Sequence, residues 1–243
     1  MADYSYLGSG RVYLRDRSGA AGLIEVGNCS ALAFAVTEET KELKDYTQPG
    51  GGTYNEVKRI SAVECQITMH DMSALNLSRA LYGSTSSVTT ATVTDEAHAD
   101  VNKGEFVATT FMPASVTNVK KGATTFVANT DYEVRAGGIY IIPTGAIVDG
   151  DDITITYTKA ATDVVQALTG SGKEYELVFD GLNEARSGKK TRVTAHRVKI
   201  GALASLGLIG EEYAAIEATG KLLKDTSITG AGISQYFKVE IEV

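Results

Sequence analysis

The most regular pattern in the chain is a strict alternation of apolar and polar residues within the segment Lys58–His70. The apolar positions are Val63, Cys65, Ile67 and Met69, and the polar positions are Glu64, Gln66, Thr68 and His70. A period of two residues is typical of an antiparallel strand that buries one face and exposes the other. The pattern therefore predicts a half-buried strand here.

The end of the chain has the same pattern. The apolar positions are Ile233, Phe237, Val239, Ile241 and Val243, in phase with Gln235, and the polar positions include Lys238, Glu240 and Glu242. We expect a strand over Ser234–Val243 that is paired along its length and holds the terminus in place.

Weaker alternations predict further strands in the rest of the chain. They cover Arg11–Arg15, Ser30–Thr37, Gly104–Phe111, Glu174–Asp180, Arg192–Ile200 and Glu211–Thr219. In Arg192–Ile200 the alternation slips by one residue between Ala195 and Val198, which predicts a β-bulge or a strand that changes sheets.

One segment changes to a helical period. Met72–Tyr82 has apolar residues at helical spacing, and Asp71 or Ser73 can cap its first turn. Gly83 is predicted to end the helix in the left-handed conformation.

A long charged segment separates the strand ending at Thr37 from the one beginning at Lys58. A loop of this size is uncommon in a compact domain and is usually functional or disordered. One alternative is an exposed, mobile loop. We favour an ordered arm that contacts a neighbouring copy, because Leu43 and Tyr46 are poorly placed on a free loop. The candidate contact residues are Lys41, Glu42, Leu43, Lys44, Asp45, Tyr46, Gln48 and Pro49.

The segment 113–159 reads as a small β module inserted in a larger domain, with turn signals at Gly137-Gly138 and Asp149-Gly150. The host domain then comprises 1–112 and 160–243. Within it, Ser84–Ala99 is rich in Ser, Thr and Ala and is predicted to be exposed. The predicted fold is mainly β: an antiparallel β-sandwich or partial barrel with one flanking α-helix and the inserted module.

Composition narrows the function. The net charge of −7 argues against sequence-specific DNA binding, which requires a basic surface. No apolar run approaches the ~18–20 residues of a membrane helix, so we expect a soluble protein made in a cytoplasm. A local basic cluster fits a solvated hairpin, a contact with acidic residues of an adjacent subunit or, third, DNA binding. Its candidate contact residues are Arg186, Lys189, Lys190 and Arg192.

The sequence contains few residues in arrangements typical of catalytic or metal sites. His70, His98 and His196 lack metal-ligand spacing, and no serine lies in a nucleophile-elbow motif. We expect no enzyme activity, no cofactor and no metal.

A set of short motifs occurs in a definite order along residues 8–83 and 174–243. They are Gly10-Arg11-Val12-Tyr13-Leu14, Gly27-Asn28, Glu38–Tyr46, Gly50-Gly51-Gly52, Arg59-Ile60-Ser61, His70-Asp71-Met72-Ser73 with Asn76-Leu77, Leu81-Tyr82-Gly83, Leu208-Ile209-Gly210-Glu211-Glu212 and Gly232–Val239. Together they resemble the tail tube (major tail) proteins of long-tailed bacteriophages.

That resemblance implies hexameric rings that stack into a tube, through which double-stranded DNA passes without specific binding. It implies a virion protein, assembled in the host cytoplasm, whose partners are its own copies and tail proteins such as the tape measure and the terminator. The loop Glu38–Asn55 would reach the neighbouring ring. Two residue sets could face an acidic bore: Glu64, Gln66 and Thr68, or Lys238, Glu240 and Glu242.

Three other functions remain open from the sequence. The chain could be another ring-forming tail component, such as a terminator or baseplate protein. It could be a carbohydrate-binding or adhesive β domain. A hydrolase is the least favoured, because no nucleophile–base pair is visible.

Overall fold

The computed structural model describes residues 4–19 and 21–243. They are 55% strand and 4% helical, with antiparallel sheets, one α-helix and no closed barrel. The prediction of a mainly β fold with one flanking helix is therefore confirmed.

The strands are β1 (Gly8–Asp16), β2 (Ile24–Glu25), β3 (Cys29–Lys44), β4 (Thr53–Met69), β5 (Ser84–Val88), β6 (Ala91–Val101), β7 (Phe106–Ala108), β8 (Pro113–Lys121), β9 (Thr124–Phe126), β10 (Tyr132–Arg135), β11 (Gly138–Ile141), β12 (Asp151–Lys159), β13 (Thr162–Gln166), β14 (Glu174–Asn183), β15 (Lys189–Ile200), β16 (Ile216–Leu222) and β17 (Phe237–Ile241). The helix α1 spans Ala74–Ala80, and a 3-10 turn spans Glu184–Arg186.

The chain forms two compact units. The first contains the residues up to Thr85 together with Val165–Val243, and the second is Ser86–Val164. The predicted insert, 113–159, lies inside the second unit, but the unit begins earlier. β6 and β7 belong to it because they pair with β12 and β11. The segment Ser84–Ala99, predicted to be exposed, contains no buried residue and forms β5 and most of β6.

The first unit is built on one sheet in the order β2-β1-β14-β15-β16-β4-β3, with β17 also paired to β15. The predicted bulge in β15 is confirmed: the ladder with β14 shifts where Tyr175 and Leu177 face Val198 and Ala195. Before this point β15 pairs with β17, and after it with β16. The bulge therefore lets one strand hold two different neighbours on the same side.

The core of this unit lies on one face of the sheet. Its least exposed side chains include Leu14, Ile67, Leu177, Val198 and Ile216, each fully buried. The alternation in β4 is confirmed, because Val63, Cys65, Ile67 and Met69 are buried while Glu64 and Gln66 are exposed.

Helix α1 packs on this core but is shorter than predicted. Of the two candidate caps, Ser73 is the one used, since its hydroxyl accepts a hydrogen bond from the Asn76 amide at 3.2 Å. The prediction for Gly83 is wrong: Tyr82 adopts the left-handed conformation, with φ 49°. The amide of Gly83 instead donates to the Ser78 carbonyl at 2.8 Å.

The second unit contains two sheets, β10-β11-β7 and β6-β12-β8-β9. Its own core includes Val119, Ile139, Ile147, Ile155 and Tyr157, all fully buried. The two passages of chain that link the units, β5 and β13, pair with each other.

Candidate assembly surfaces

Strands β3 and β4 pair from Cys29–Met69 out to Lys44–Thr53. β16 accompanies β4 only from Glu64 to Met69, so the outer part of the hairpin is a ribbon of two strands. We call residues 37–62 the arm. From Thr37 to Lys44 the arm extends about 23 Å at the ordinary rise of a strand. The predicted loop is therefore mostly strand: Lys41, Glu42, Leu43 and Lys44 lie in β3, because they continue the ladder with β4.

The turn at the end of the arm, Asp45–Gly52, is tightly hydrogen-bonded. The amide of Asp45 donates to the Gly52 carbonyl at 2.7 Å. The amide and hydroxyl of Thr47 donate to the Asp45 carboxylate at 2.8 and 2.6 Å. These bonds lower the pKa of Asp45. Tyr46, Gln48 and Pro49 lie exposed on this turn.

The arm exposes five large apolar side chains within residues 37–62. The exposed fractions are 52% for Leu43, 84% for Tyr46, 72% for Tyr54, 48% for Val57 and 54% for Ile60. An isolated two-stranded ribbon is marginally stable in water at best. The arm therefore presents apolar surface that another chain could cover.

The charges of the arm are largely balanced within the arm. Lys41 pairs with Glu39, Lys44 with Glu42 at 2.5 Å, and Lys58 with Glu56 at 3.8 Å. The hydrogen bond from Lys44 lowers the pKa of Glu42. Because its ions pair internally, the arm offers mainly apolar contacts to a partner.

The predicted basic cluster is divided in the structure. The guanidinium of Arg192 donates two hydrogen bonds, of 2.6 and 2.7 Å, to the carboxylate of Glu240. These bonds, together with one from Lys238, lower the pKa of Glu240 to about 2. Lys189 donates to the Val243 carbonyl at 2.5 Å, and Arg186 lies over the Tyr4 ring at 5.0 Å.

The ammonium of Lys190 has no polar partner in the described chain. A contact with a neighbouring subunit thus stays a prediction, and Arg186 and Lys190 are the residues best placed to make it.

The two predicted lumen-facing sets lie on one face of the same sheet. Glu64, Gln66 and Thr68 alternate with the core residues of β4, so they point away from the core. In β17, Val239 pairs with Val193 on the core side of the sheet, so the alternating residues Lys238 and Glu240 also point away from it. Glu242 follows at the end of β17.

This polar face is mixed in charge, contrary to the acidic surface expected for it. One row across the strands reads Arg11, Asp180, Arg192, Glu240. Another reads Glu64, Lys221, Lys199.

Sequence reasoning missed two features. The predicted strand Glu211–Thr219 begins only at Ile216, and the irregular segment before it exposes Leu208, Ile209 and Tyr213 by 77%, 101% and 98%. The apolar face of β17 is also open, since Val239 and Ile241 are 50% and 56% exposed. No regular alternation or helical period marks the irregular segment before β16 in the sequence. The apolar pair Leu208-Ile209, which lies between Gly207 and Gly210, is a partial signal.

In the part of the chain that the structure describes, no three His, Cys, Asp or Glu side chains are grouped to hold a metal ion. His70 Nε2 lies 2.9 Å from the Ser30 hydroxyl, and burial raises the pKa of Cys65 to about 12. No helix within residues 4–19 and 21–243 has the length and apolar character to cross a membrane.

Comparison with known proteins adds one match. A family described as "Protein of unknown function UCP028589" matches residues 5–240. No curated protein matches the chain.

Proposed function

We propose that this chain, which belongs to that family of unknown function, is a structural subunit without enzyme activity that builds the tail tube of a long-tailed bacteriophage. Copies associate into rings, which we infer to be hexameric, and the rings stack into a tube that conducts double-stranded DNA. The observation that carries the proposal is the arm, a two-stranded ribbon whose apolar side chains lie in water in the single chain.

The arm supports assembly on energetic grounds. Burying apolar surface gains about 25 cal/mol per Å², and exposed apolar patches mark contact sites in soluble proteins. The hydrogen-bonded turn at Asp45 holds Tyr46 outward in advance. An arm ordered before contact loses less conformational entropy on binding.

The sheet supports closure into a ring. In the described chain, the outer edge of β3 and the outer edge of β17 have no partner strand. Unpaired edges are a liability that proteins remove by pairing or covering them. Head-to-tail contacts between two different edges generate closed rings when the rotation closes.

The polar face suits a surface along which DNA moves without being held. Specific or tight DNA binding requires clustered cations that neutralise phosphates. Here Arg192 is already paired with Glu240, and Lys221 and Lys199 lie in a row with Glu64. Other tail proteins, such as the tape measure and the terminator, are the remaining partners under this proposal, and the virion is its location.

Shortening the arm tests the proposal. Thr40 and Lys58 are paired residues, so an Asn-Gly turn in place of 41–57 closes the same hairpin, since this dipeptide forms two-residue turns. We expect the wild-type chain to sediment as large assemblies and the shortened chain as a monomer that keeps the circular dichroism spectrum of a folded β protein and a cooperative unfolding transition. Assemblies of normal size from the shortened chain would refute the role of the arm.

A carbohydrate-binding role for the second unit is the alternative with an observation in its favour. Phe106 and Tyr140 are cross-strand neighbours on β7 and β11, and Phe106 is 46% exposed. The guanidinium of Arg135 lies 4.0 Å from the centre of the Tyr140 ring, which leaves mainly Phe106 free to stack on a sugar. A glycan array in which Phe106→Ala abolishes specific binding would favour this role. An array without specific binding would count against it.

A further inference from the structure

Helix α1 places an arginine beside a cavity of about 310 Å³ in the first unit. The cavity lies between the end of β1, the segment before β2, the helix and the turn before β14. Its polar lining includes Asp16 on β1, Arg79 on the helix, and Ser171 and Lys173 in the turn. Ligand cavities commonly measure about 300–1,000 Å³, so this one has room for a small ion with part of its water shell.

Arg79 is buried but weakly bonded. Its side chain lies in a residue that is 8% exposed. The guanidinium donates to the Asn76 side-chain oxygen at 3.4 Å and to the Leu14 carbonyl at 3.5 Å, and it lies 5.8 Å from the centre of the Tyr175 ring. Ordinary N–H···O hydrogen bonds measure about 2.7–3.2 Å. The remaining N–H donors of Arg79 have no partner in the described chain.

The positive charge of Arg79 also lacks a paired carboxylate within the described chain. Asp16 is the acidic residue on the cavity wall, and its carboxylate is already bonded. It accepts from the Lys173 ammonium at 2.9 Å and from the amide and hydroxyl of Ser18 at 2.8 and 2.6 Å. These bonds outweigh the effect of burial and lower the pKa of Asp16 to about 2. Asp16 therefore attracts Arg79 only through space.

A buried charge without a partner is strongly destabilising. Burial lowers the pKa of Arg79, but an arginine side chain stays protonated, so it cannot avoid this cost by losing its proton. Leu14, Ile24 and Leu75 make part of the cavity wall apolar, and electrostatic attraction is stronger in such surroundings than in water. An anion in the cavity would neutralise Arg79 and remove the cost.

We propose that this cavity binds a small oxyanion of the phosphate class, held by the guanidinium of Arg79, with Ser171 and Lys173 at its mouth. The planar fork of a guanidinium matches two oxygens of a phosphate. The amide and hydroxyl of Ser171 have no partner in the described chain and are free to donate. The inference goes beyond the proposed function, because the site lies within one chain and needs no second copy.

Thermal unfolding of the dispersed full chain tests the site. Sodium phosphate, sodium sulfate and sodium acetate are each compared with sodium chloride at equal pH and ionic strength. An anion that binds only the folded chain raises the unfolding midpoint with its concentration. We expect a saturable rise in phosphate and sulfate and a smaller one in acetate. Equal midpoints in phosphate and chloride would overturn the site, and a larger rise in acetate would overturn the phosphate class.

Arg79→Met separates binding from packing, because it keeps an unbranched side chain and removes the charge. Calorimetric titration should show a dissociation constant for phosphate at least about tenfold higher, since charge-assisted hydrogen bonds are lost. In chloride the variant should unfold at the same temperature as the wild type or above it, because apolar replacement of a buried charge is often neutral or stabilising. The control Arg11→Met, at a guanidinium that is 67% exposed, should leave phosphate binding unchanged.

A second variant keeps the test decisive if Arg79→Met does not fold. Ser171→Asp places a carboxylate at the exposed mouth of the cavity and should also raise the dissociation constant at least about tenfold. The matched control Ser115→Asp, at an exposed serine of the second unit, should bind phosphate as the wild type does. Wild-type affinity in a folded Arg79→Met chain, or in Ser171→Asp, would overturn the site.

The outcomes separate this inference from the proposed function. If tubes form but the dispersed chain does not bind phosphate, the site is overturned and the tube stands. If phosphate binds through Arg79 but no tubes form, the tube function fails and the site stands. Titration with glycerol 3-phosphate identifies the source of the anion: tighter binding than that of inorganic phosphate supports a phosphate group carried by a larger molecule, and weaker binding supports the free ion.

Discussion

The apolar end of the arm offers the sharpest quantitative prediction, through the double substitution Leu43→Ser and Tyr46→Ser. In the single chain these side chains are 52% and 84% exposed. Removing exposed side chains usually changes the free energy of unfolding by less than about 0.5 kcal/mol. The variant should therefore fold as stably as the wild type.

The cost to assembly follows from the same exposures. Full burial of a leucine side chain gains about 1.5–3 kcal/mol, so covering the 52% of Leu43 that is exposed gains about 1 kcal/mol. A tyrosine presents about 150–250 Å², so covering the 84% of Tyr46 that is exposed gains about 3–5 kcal/mol at about 25 cal/mol per Å². Desolvation of the hydroxyl and incomplete covering reduce this to about 2 kcal/mol. The total of about 3 kcal/mol corresponds to a roughly hundredfold weaker contact.

Sedimentation velocity over a dilution series measures the effect. The concentration at which assemblies appear should rise about a hundredfold in the variant, while urea unfolding of the dispersed chain is unchanged. The control Val127→Ser with Leu168→Ser removes apolar side chains that are 59% and 72% exposed outside the arm. It should leave the assembly threshold in place. Equal thresholds for the arm variant and the wild type would show that Leu43 and Tyr46 do not contribute to the contact between copies.

The remaining predictions concern stability and the two units. Asn76→Ala should lower the free energy of unfolding by about 1–3 kcal/mol, because the buried Asn76 amide donates to the Val26 carbonyl at 2.7 Å; a loss under about 0.5 kcal/mol in urea unfolding would contradict this. The pKa of Glu240, about 2 in the folded chain, lies below the unfolded value of about 4.3. Its contribution to stability is therefore present above about pH 4.3 and is lost as the pH falls towards 2. Glu240→Gln should unfold with a weaker dependence on pH in this window, and identical pH profiles would refute the pairing. Residues 86–164 alone should unfold cooperatively on heating, because they enclose their own core; a chain without a thermal transition would contradict it.

Strong local patterns predicted the fold well where one face of a strand is buried. The alternation around Ile67 fixed which side of β4 packs on the core, and the phase slip after Ala195 located the bulge in β15. In both cases the side-chain period of two records directly which face is covered. Ser73 was likewise a visible helix cap.

Prediction failed where pairing overrides composition. The charges of Lys41–Lys44 suggested a loop, but the ladder with β4 extends the strand through them. The Ser, Thr and Ala residues of Ser84–Ala99 correctly predicted an exposed segment, but their composition did not indicate that β6 pairs with β12. β17 has the alternation of a half-buried strand, yet Val239 and Ile241 on its apolar face are half exposed. Alternation shows which side chains share a face, but it does not show whether another element packs on that face.

Electron microscopy of the purified wild-type chain at high concentration is the decisive test of tube formation. We expect tubes of uniform diameter built from stacked rings, with the arm of each subunit in contact with another copy. Particles that remain single chains at every concentration would contradict it.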